Sequence, residues 1–340
     1  MFLTPYSKTL FVDPSGNDST AILGNLSKPW STVNGAINSA TMSGYTIHIF
    51  RGDYLETTGV TMSSGNTNLS LLFETGANLR VTLSAGYWFN VNASTSIVNI
   101  TGTGRSSNLI VSTNGVFNVF GPNGGSSEGM SLNINNIQIT SSNVSAGANA
   151  IKVTEGTVKI DNSIVNFSGV NITNYQQLII VNKSYLFVRN STLEFSNNVQ
   201  FYLTPPPSAG ALTASWLIFE PGGIQSSVCR IRLQNTSLSC DGAFGGHICL
   251  TNGAISGLPA SILLENVYFH SNSGKVTHTI YNNAGKEFVA LGGSVISGGF
   301  DPTLAPSAGT VNATSVYPPS YSGAVWYVNN GTIFATRRPY

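Results

Sequence analysis

The sequence predicts an all-β solenoid, a parallel β-helix, and three observations carry that expectation. The first is a recurring pattern, apolar–x–apolar–x–Asn–x–x–apolar. It occurs as Leu132, Ile134, Asn136, Ile139, and returns at Val158, Ile160, Asn162, Val165. Further copies are Leu186, Val188, Asn190, Leu193, then Ile231, Leu233, Asn235, Leu238, then Ile262, Leu264, Asn266, Phe269. A degenerate copy, Val289, Leu291, Gly293, Ile296, has Gly in the Asn slot. The second observation is spacing. The five Asn positions are 26, 28, 45 and 31 residues apart, too short for domains and suited to single coils stacked on one another. The third is composition. Only 9% of the 340 residues are charged, against about 25% in ordinary domains.

Apolar residues two apart form the inward face of a strand. Asn then marks a bend, because it tolerates left-handed backbone angles. Coils stack at roughly 4.8 Å, and an amide is both donor and acceptor. Asn136, Asn162, Asn190, Asn235 and Asn266 are therefore expected to form a hydrogen-bonded ladder up the stack. The competing reading is an antiparallel sandwich with Asn-rich turns. The 45-residue interval holds Pro205, Pro206, Pro207, Gly210 and Trp216, and reads as a large inserted loop.

In chain order, Leu10-Phe11-Val12 is a first strand and Asp13 to Asp18 a turn cluster. Pro29 to Ala40 reads as a helix, with Val33 and Ile37 at helical spacing and Pro29 in its first turn. Tyr45 to Phe50 alternates as a strand that ends at Arg51-Gly52-Asp53-Tyr54. Inner strand positions at 49, 73, 100, 134, 160, 188, 233, 264 and 291 give about nine coils. Val325 to Phe334 reads as a β-hairpin around Asn-Gly. The expected organisation is an arm and cap at 1–45, the β-helix at 46–299, and a C-terminal cap or contact segment at 300–340.

The segment Val12-Asp13-Pro14-Ser15-Gly16-Asn17-Asp18, with Lys28-Pro29-Trp30 and Ile47-His48-Ile49-Phe50-Arg51-Gly52-Asp53-Tyr54, resembles the N-terminal region of right-handed parallel β-helix proteins of the pectate-lyase-like superfamily. The resemblance is closest over residues 11–56. It implies a right-handed coil and a short helix capping its open end. That superfamily includes lyases, hydrolases, phage tailspikes and inert virion parts, so the resemblance speaks to fold rather than activity. Trimerisation is implied by the resemblance alone.

Net charge is +1, so neither a nucleic acid nor another polyanion is implied as partner. No window is apolar for long enough to cross a membrane, and Met1-Phe2-Leu3-Thr4-Pro5 has no basic region before an apolar core, so no secretory signal is expected. Of the three cysteines, Cys240 falls on the inward phase, and Cys229 and Cys249 are free to pair or not. Asn-x-Ser/Thr sequons are numerous in so Asn-rich a chain and leave glycosylation open.

Glycosidases need two carboxyls about 5–9.5 Å apart, so acids on adjacent coils are the signal to seek. The column before the ladder Asn runs Asn135, Asp161, Arg189, Gln234, Glu265, and suggests an Asp161–Arg189 ion pair. The column four after it runs Thr140, Asn166, Glu194, Ser239, His270. Neither places two acids side by side. Acids from long loops, such as Glu220 or Asp241 near His247, remain the route to a catalytic pair. No catalytic residue, metal site or cofactor is assigned. Tyr87, Trp88 and Trp216 are candidates for stacking on a glycan. The Arg51-Gly52-Asp53 tripeptide is explained by the strand end in which it sits. The functional expectation is a non-enzymatic virion surface protein, a spike, fibre or vertex component. Its expected partners are other virion proteins and a host receptor or glycan. The alternatives are a tailspike-like polysaccharide hydrolase or lyase, and a cellular surface adhesin.

Overall fold

The computed structural model describes residues 8–62, 67–84, 86–91, 97–104, 106–111, 115–120, 131–142, 151–154, 157–168, 179–182, 185–196, 215–220, 230–240, 246–250, 260–270, 278–282, 287–298 and 325–336. The fold is an all-β, right-handed parallel β-helix. Every described strand pairing is parallel, which excludes the antiparallel sandwich.

Three lines of residues run up the stack. The first joins Leu10, Ile47, Leu71, Ile100, Ile134, Ile160, Val188, Leu233, Leu264, Leu291 and Val328. The second joins Tyr54, Leu79, Leu109, Ile139, Val165, Leu193, Leu238 and Phe269. The third joins Val60, Phe89, Phe117, Ile151, Ile179, Leu217, Ile248 and Ile280. Leu71, Ile100, Leu79, Leu109, Phe89 and Ile151 are fully buried. Each such apolar side chain taken from water contributes about 1.5–3 kcal/mol, and stacking on neighbouring coils completes its cover.

The first line holds one more coil at each end than the expected nine. Its phase also differs near the N-terminus. Ile47 and Leu71, rather than Ile49 and Phe73, align with Ile100. Phe73 pairs instead with Gly102, one pleat nearer the bend.

The bend itself is built by Asn. Asn136, Asn162, Asn190, Asn235 and Asn266 have φ of 53°, 48°, 50°, 48° and 52°, all left-handed. Asn162 Nδ2 donates to Asn136 Oδ1, Asn235 Nδ2 to Asn190 Oδ1, and Asn266 Nδ2 to Asn235 Oδ1, each at 3.1 Å. At the start of the run Asn136 Nδ2 donates to the Gly102 carbonyl at 2.9 Å. A Cβ on Gly102 would meet the Asn136 carbonyl oxygen at 2.2 Å, so this coil needs glycine there.

A hydroxyl ladder lies one residue further on. Ser163, Ser191 and Thr236 are buried. Ser163 Oγ donates to Asp161 O at 2.7 Å, Ser191 Oγ to Arg189 O at 2.7 Å, and Thr236 Oγ1 to Gln234 O at 2.9 Å. Ser191 Oγ also accepts from the Ser163 backbone N–H at 3.1 Å. Each hydroxyl thus closes the bend within its own coil and also reaches the coil before, Ser163 Oγ accepting from Ile137 N at 3.3 Å and Thr236 Oγ1 lying 3.4 Å from Val188 O.

The capping helix spans Val33–Ser39 and starts later than expected. Thr32 is its N-cap and accepts from Gly35 N at 3.0 Å. Pro29 lies outside the helix, where its carbonyl accepts from Asn17 N at 3.0 Å. Two carboxylates serve the helix start. Glu56 Oε1 accepts from Val33 N at 2.7 Å and Asn34 N at 3.0 Å. Asp18 accepts from Ser31 N at 2.7 Å, from Thr32 N at 3.1 Å and from the Thr32 hydroxyl. Tyr54 anchors the first coil, its hydroxyl lying 2.8 Å from Phe50 O and 3.0 Å from Val12 O.

The C-terminal hairpin is corrected. Val325–Thr336 is one strand, parallel to Glu287–Gly298. The register steps from Gly292↔Asn329 to Ser294↔Thr332, so Asn330 and Gly331 together oppose Gly293. Asn-Gly here sits at a two-against-one register step within a parallel strand pair instead of at a chain reversal.

Candidate functional site

The outward residues of the first strand column line an open groove of about 590 Å³. Outward positions on successive coils come into register as Asn99, Asn133, Lys159, Phe187 and Arg232. The neighbouring row is Thr101, Asn135, Asp161, Arg189 and Gln234. The buried alternates Ile134, Ile160 and Val188 fix these side chains on a rigid sheet, because residues alternate between faces.

Charge in the groove is mostly compensated. Arg189 Nε donates to Asp161 Oδ1 at 3.2 Å, and its Nη2 to Asp161 Oδ2. Asn190 Nδ2 adds a longer contact to Asp161 Oδ1 at 3.4 Å. The guanidinium beside it holds the Asp161 carboxyl below its ordinary value. Arg232 Nη2 donates to Glu265 Oε2 at 2.8 Å on the next coil. Lys159 is exposed and has no acidic partner among the described residues. Asn133 Nδ2 donates to Asn99 Oδ1 at 2.9 Å, and Asn99 Nδ2 to Ser70 Oγ at 3.3 Å. Phe187 is half-buried within the first row, between Lys159 and Arg232 on the coils either side.

The groove therefore offers a string of donors, a ring face and a positive charge. It suits a polyhydroxylated chain lying along the stack axis. Asp161 is the groove's carboxylate among its described lining residues. Glu265, on the same line, lies three strand spacings away, about 14 Å. Among the described residues no cluster of His, Cys, Asp and Glu could hold a metal ion.

The expected stacking residues fall elsewhere. Trp88 is fully buried, and its indole N–H donates to Asn34 Oδ1 at 3.1 Å under the capping helix. It packs against Phe89, with ring centroids 5.6 Å apart, and has no face left for a sugar. Tyr87 is half-buried and does not line the groove. Trp216 lies in the strand Ser215–Glu220, with its side chain outside the described set, as are the loops around it and Asp241. Asp53 of the Arg-Gly-Asp tripeptide accepts from Asn78 Nδ2 at 3.0 Å. Gly52 has φ 152°, and a Cβ there would meet Pro14 at 2.4 Å. Gly52 is thus a packed strand start, with Arg51 and Asp53 exposed on either side of it.

Lys159, Phe187 and Arg232 escaped the sequence reading although their signal is present. They stand three residues before the ladder Asn in their coils, a column that a search for acids passes over.

Fold and groove together define a β-helical protein with a ligand-sized trough on one sheet face. No family model and no curated protein matches the chain. Among solved structures the chain is similar to a pectin methylesterase from Aspergillus niger, at 12% identity and a TM-score of 0.45. The match covers 97% of this chain and 87% of that one. At that level the likeness says nothing about activity.

Proposed function

We propose that the chain is a non-enzymatic attachment protein of a virion surface, a rigid spike or fibre component that holds a host glycan along its sheet face. The observation that carries the reading is the groove floor. It presents Lys159, Phe187 and the amides of Asn99 and Asn133, while Asp161 is tied to Arg189. Glycosidase chemistry requires a second carboxyl within about 5–9.5 Å, and Glu265 is both farther off and engaged with Arg232. A charge-poor polar surface on a stiff stack of coils suits exposure on a particle. One observation favours a second reading, a tailspike-like hydrolase or lyase: Asp161 stands in an open groove beside a cation.

The test is retention of the full chain on an oligosaccharide array, with Phe187→Ala alongside. The expected result is retention by the natural protein and at least about a tenfold loss with Phe187→Ala, roughly 1.4 kcal/mol. Equal retention of the two proteins would remove the groove from the account.

A further inference from the structure

Resting on the groove as a saccharide site, we infer that its ligand is a largely neutral glycan chain bearing a single acidic residue, seated over Lys159. The inference comes from a count of charges over the two rows of the groove. Asn99, Asn133, Lys159, Phe187 and Arg232 occupy successive coils, so the line is four strand spacings long, about 19 Å. It therefore takes several sugar rings end to end.

Of the three cations, two are already neutralised. Arg189 is held by Asp161, and Arg232 by Glu265. A ligand anion at either would compete with a carboxylate already in place. Lys159 alone has no acidic partner among the described residues and is exposed. A polyanion gains affinity by meeting several uncompensated cations, and this groove supplies one. A wholly neutral chain would leave Lys159 unused.

The rest of the line suits neutral sugar. The Asn99 and Asn133 amides are already linked to each other, which holds their remaining donor and acceptor sites in place for hydroxyls. Phe187 follows Lys159 by one coil, so its ring can take the C–H face of the same or the next sugar. Neutral residues at the Asn99 end and the acidic residue over Lys159, midway along the line, give the bound chain a direction.

The experiment uses the full chain on an array of neutral, singly acidic and polyacidic oligosaccharides, with Lys159→Gln as the variant. Lys159 is exposed, and circular dichroism checks that the variant is folded. The expected result is about tenfold preference for singly acidic over neutral chains, with polyacidic chains no better than singly acidic ones. Lys159→Gln should abolish that preference, so that singly acidic and neutral chains are retained alike. Tightest binding to polyacidic chains would overturn the inference, as would a preference that survives Lys159→Gln. In both cases Phe187-dependent retention would persist and the saccharide reading would stand. Retention of no class would overturn both.

Discussion

Asn162 donates its amide to Asn136 at 3.1 Å while both residues hold left-handed backbone angles, so one residue type makes the bend and ties neighbouring bends together. The two roles separate by mutation. Asn162→Gly keeps the backbone angle and loses the amide bond, for an expected loss of about 1 kcal/mol. Asn162→Ala loses the bond and adds left-handed strain, for about 2–3 kcal/mol in all. Urea midpoints of the two variants check this. Equal midpoints would mean that strain at the bend is negligible.

Ser191 carries a comparable load from a buried position. Removing its hydroxyl leaves the Ser163 N–H without that acceptor. Ser191→Ala should cost about 1–3 kcal/mol. Ser191→Thr should cost far less, since Thr236 fills the equivalent position on the next coil and makes the same bond to the carbonyl two residues back. The check is again the urea midpoint.

Trp88 belongs to the core. Trp88→Ala should destabilise by about 3–5 kcal/mol through the cavity it leaves. Trp88→Phe, which loses the bond to Asn34, should destabilise less. Trp88→Phe should leave saccharide retention unchanged. A loss of retention in the folded Phe variant would put the binding surface at the capped end.

The two carboxylates at the helix start predict opposite pH slopes. Burial pushes the Glu56 pKa above its ordinary 4.5, outweighing the hydrogen bonds from Asn34 and Val33, and nearby Asp18 pushes it further. The folded state then holds that proton more tightly than the unfolded chain, so stability falls as pH rises above about 4.5 and levels off beyond the folded pKa. Burial also works against ionisation of Asp18, but its hydrogen bonds to Thr32 and Ser31 prevail and lower its pKa from 3.8. Its stabilisation is present above about 3.8 and disappears as pH falls through the folded pKa. Thermal midpoints against pH should show Glu56→Gln losing the first slope and Asp18→Asn the second.

The fold was legible because its rule is local. Two apolar residues, an Asn and a further apolar residue specify strand, bend and strand within one coil, and register follows from stacking. The hairpin expectation failed at Asn330-Gly331 because an Asn-Gly pair does not say which strand its neighbours join, and here they join the strand of the preceding coil. Trp88 misled because aromatic residues near a predicted corner look alike whether or not a helix covers them. The groove was half legible. Asp161 beside Arg189 follows from counting coils. The line through Lys159 and Phe187 needs the same count at a column where no acid draws attention.

The most direct test of the central claim is chain length after binding. The full protein is incubated with a polysaccharide it retains, and new reducing ends and unsaturated ends are measured with time. A binding groove predicts retention with no new ends above background, and Asp161→Asn without effect on that background. Release of new ends that Asp161→Asn abolishes would contradict the account and make the groove an active site.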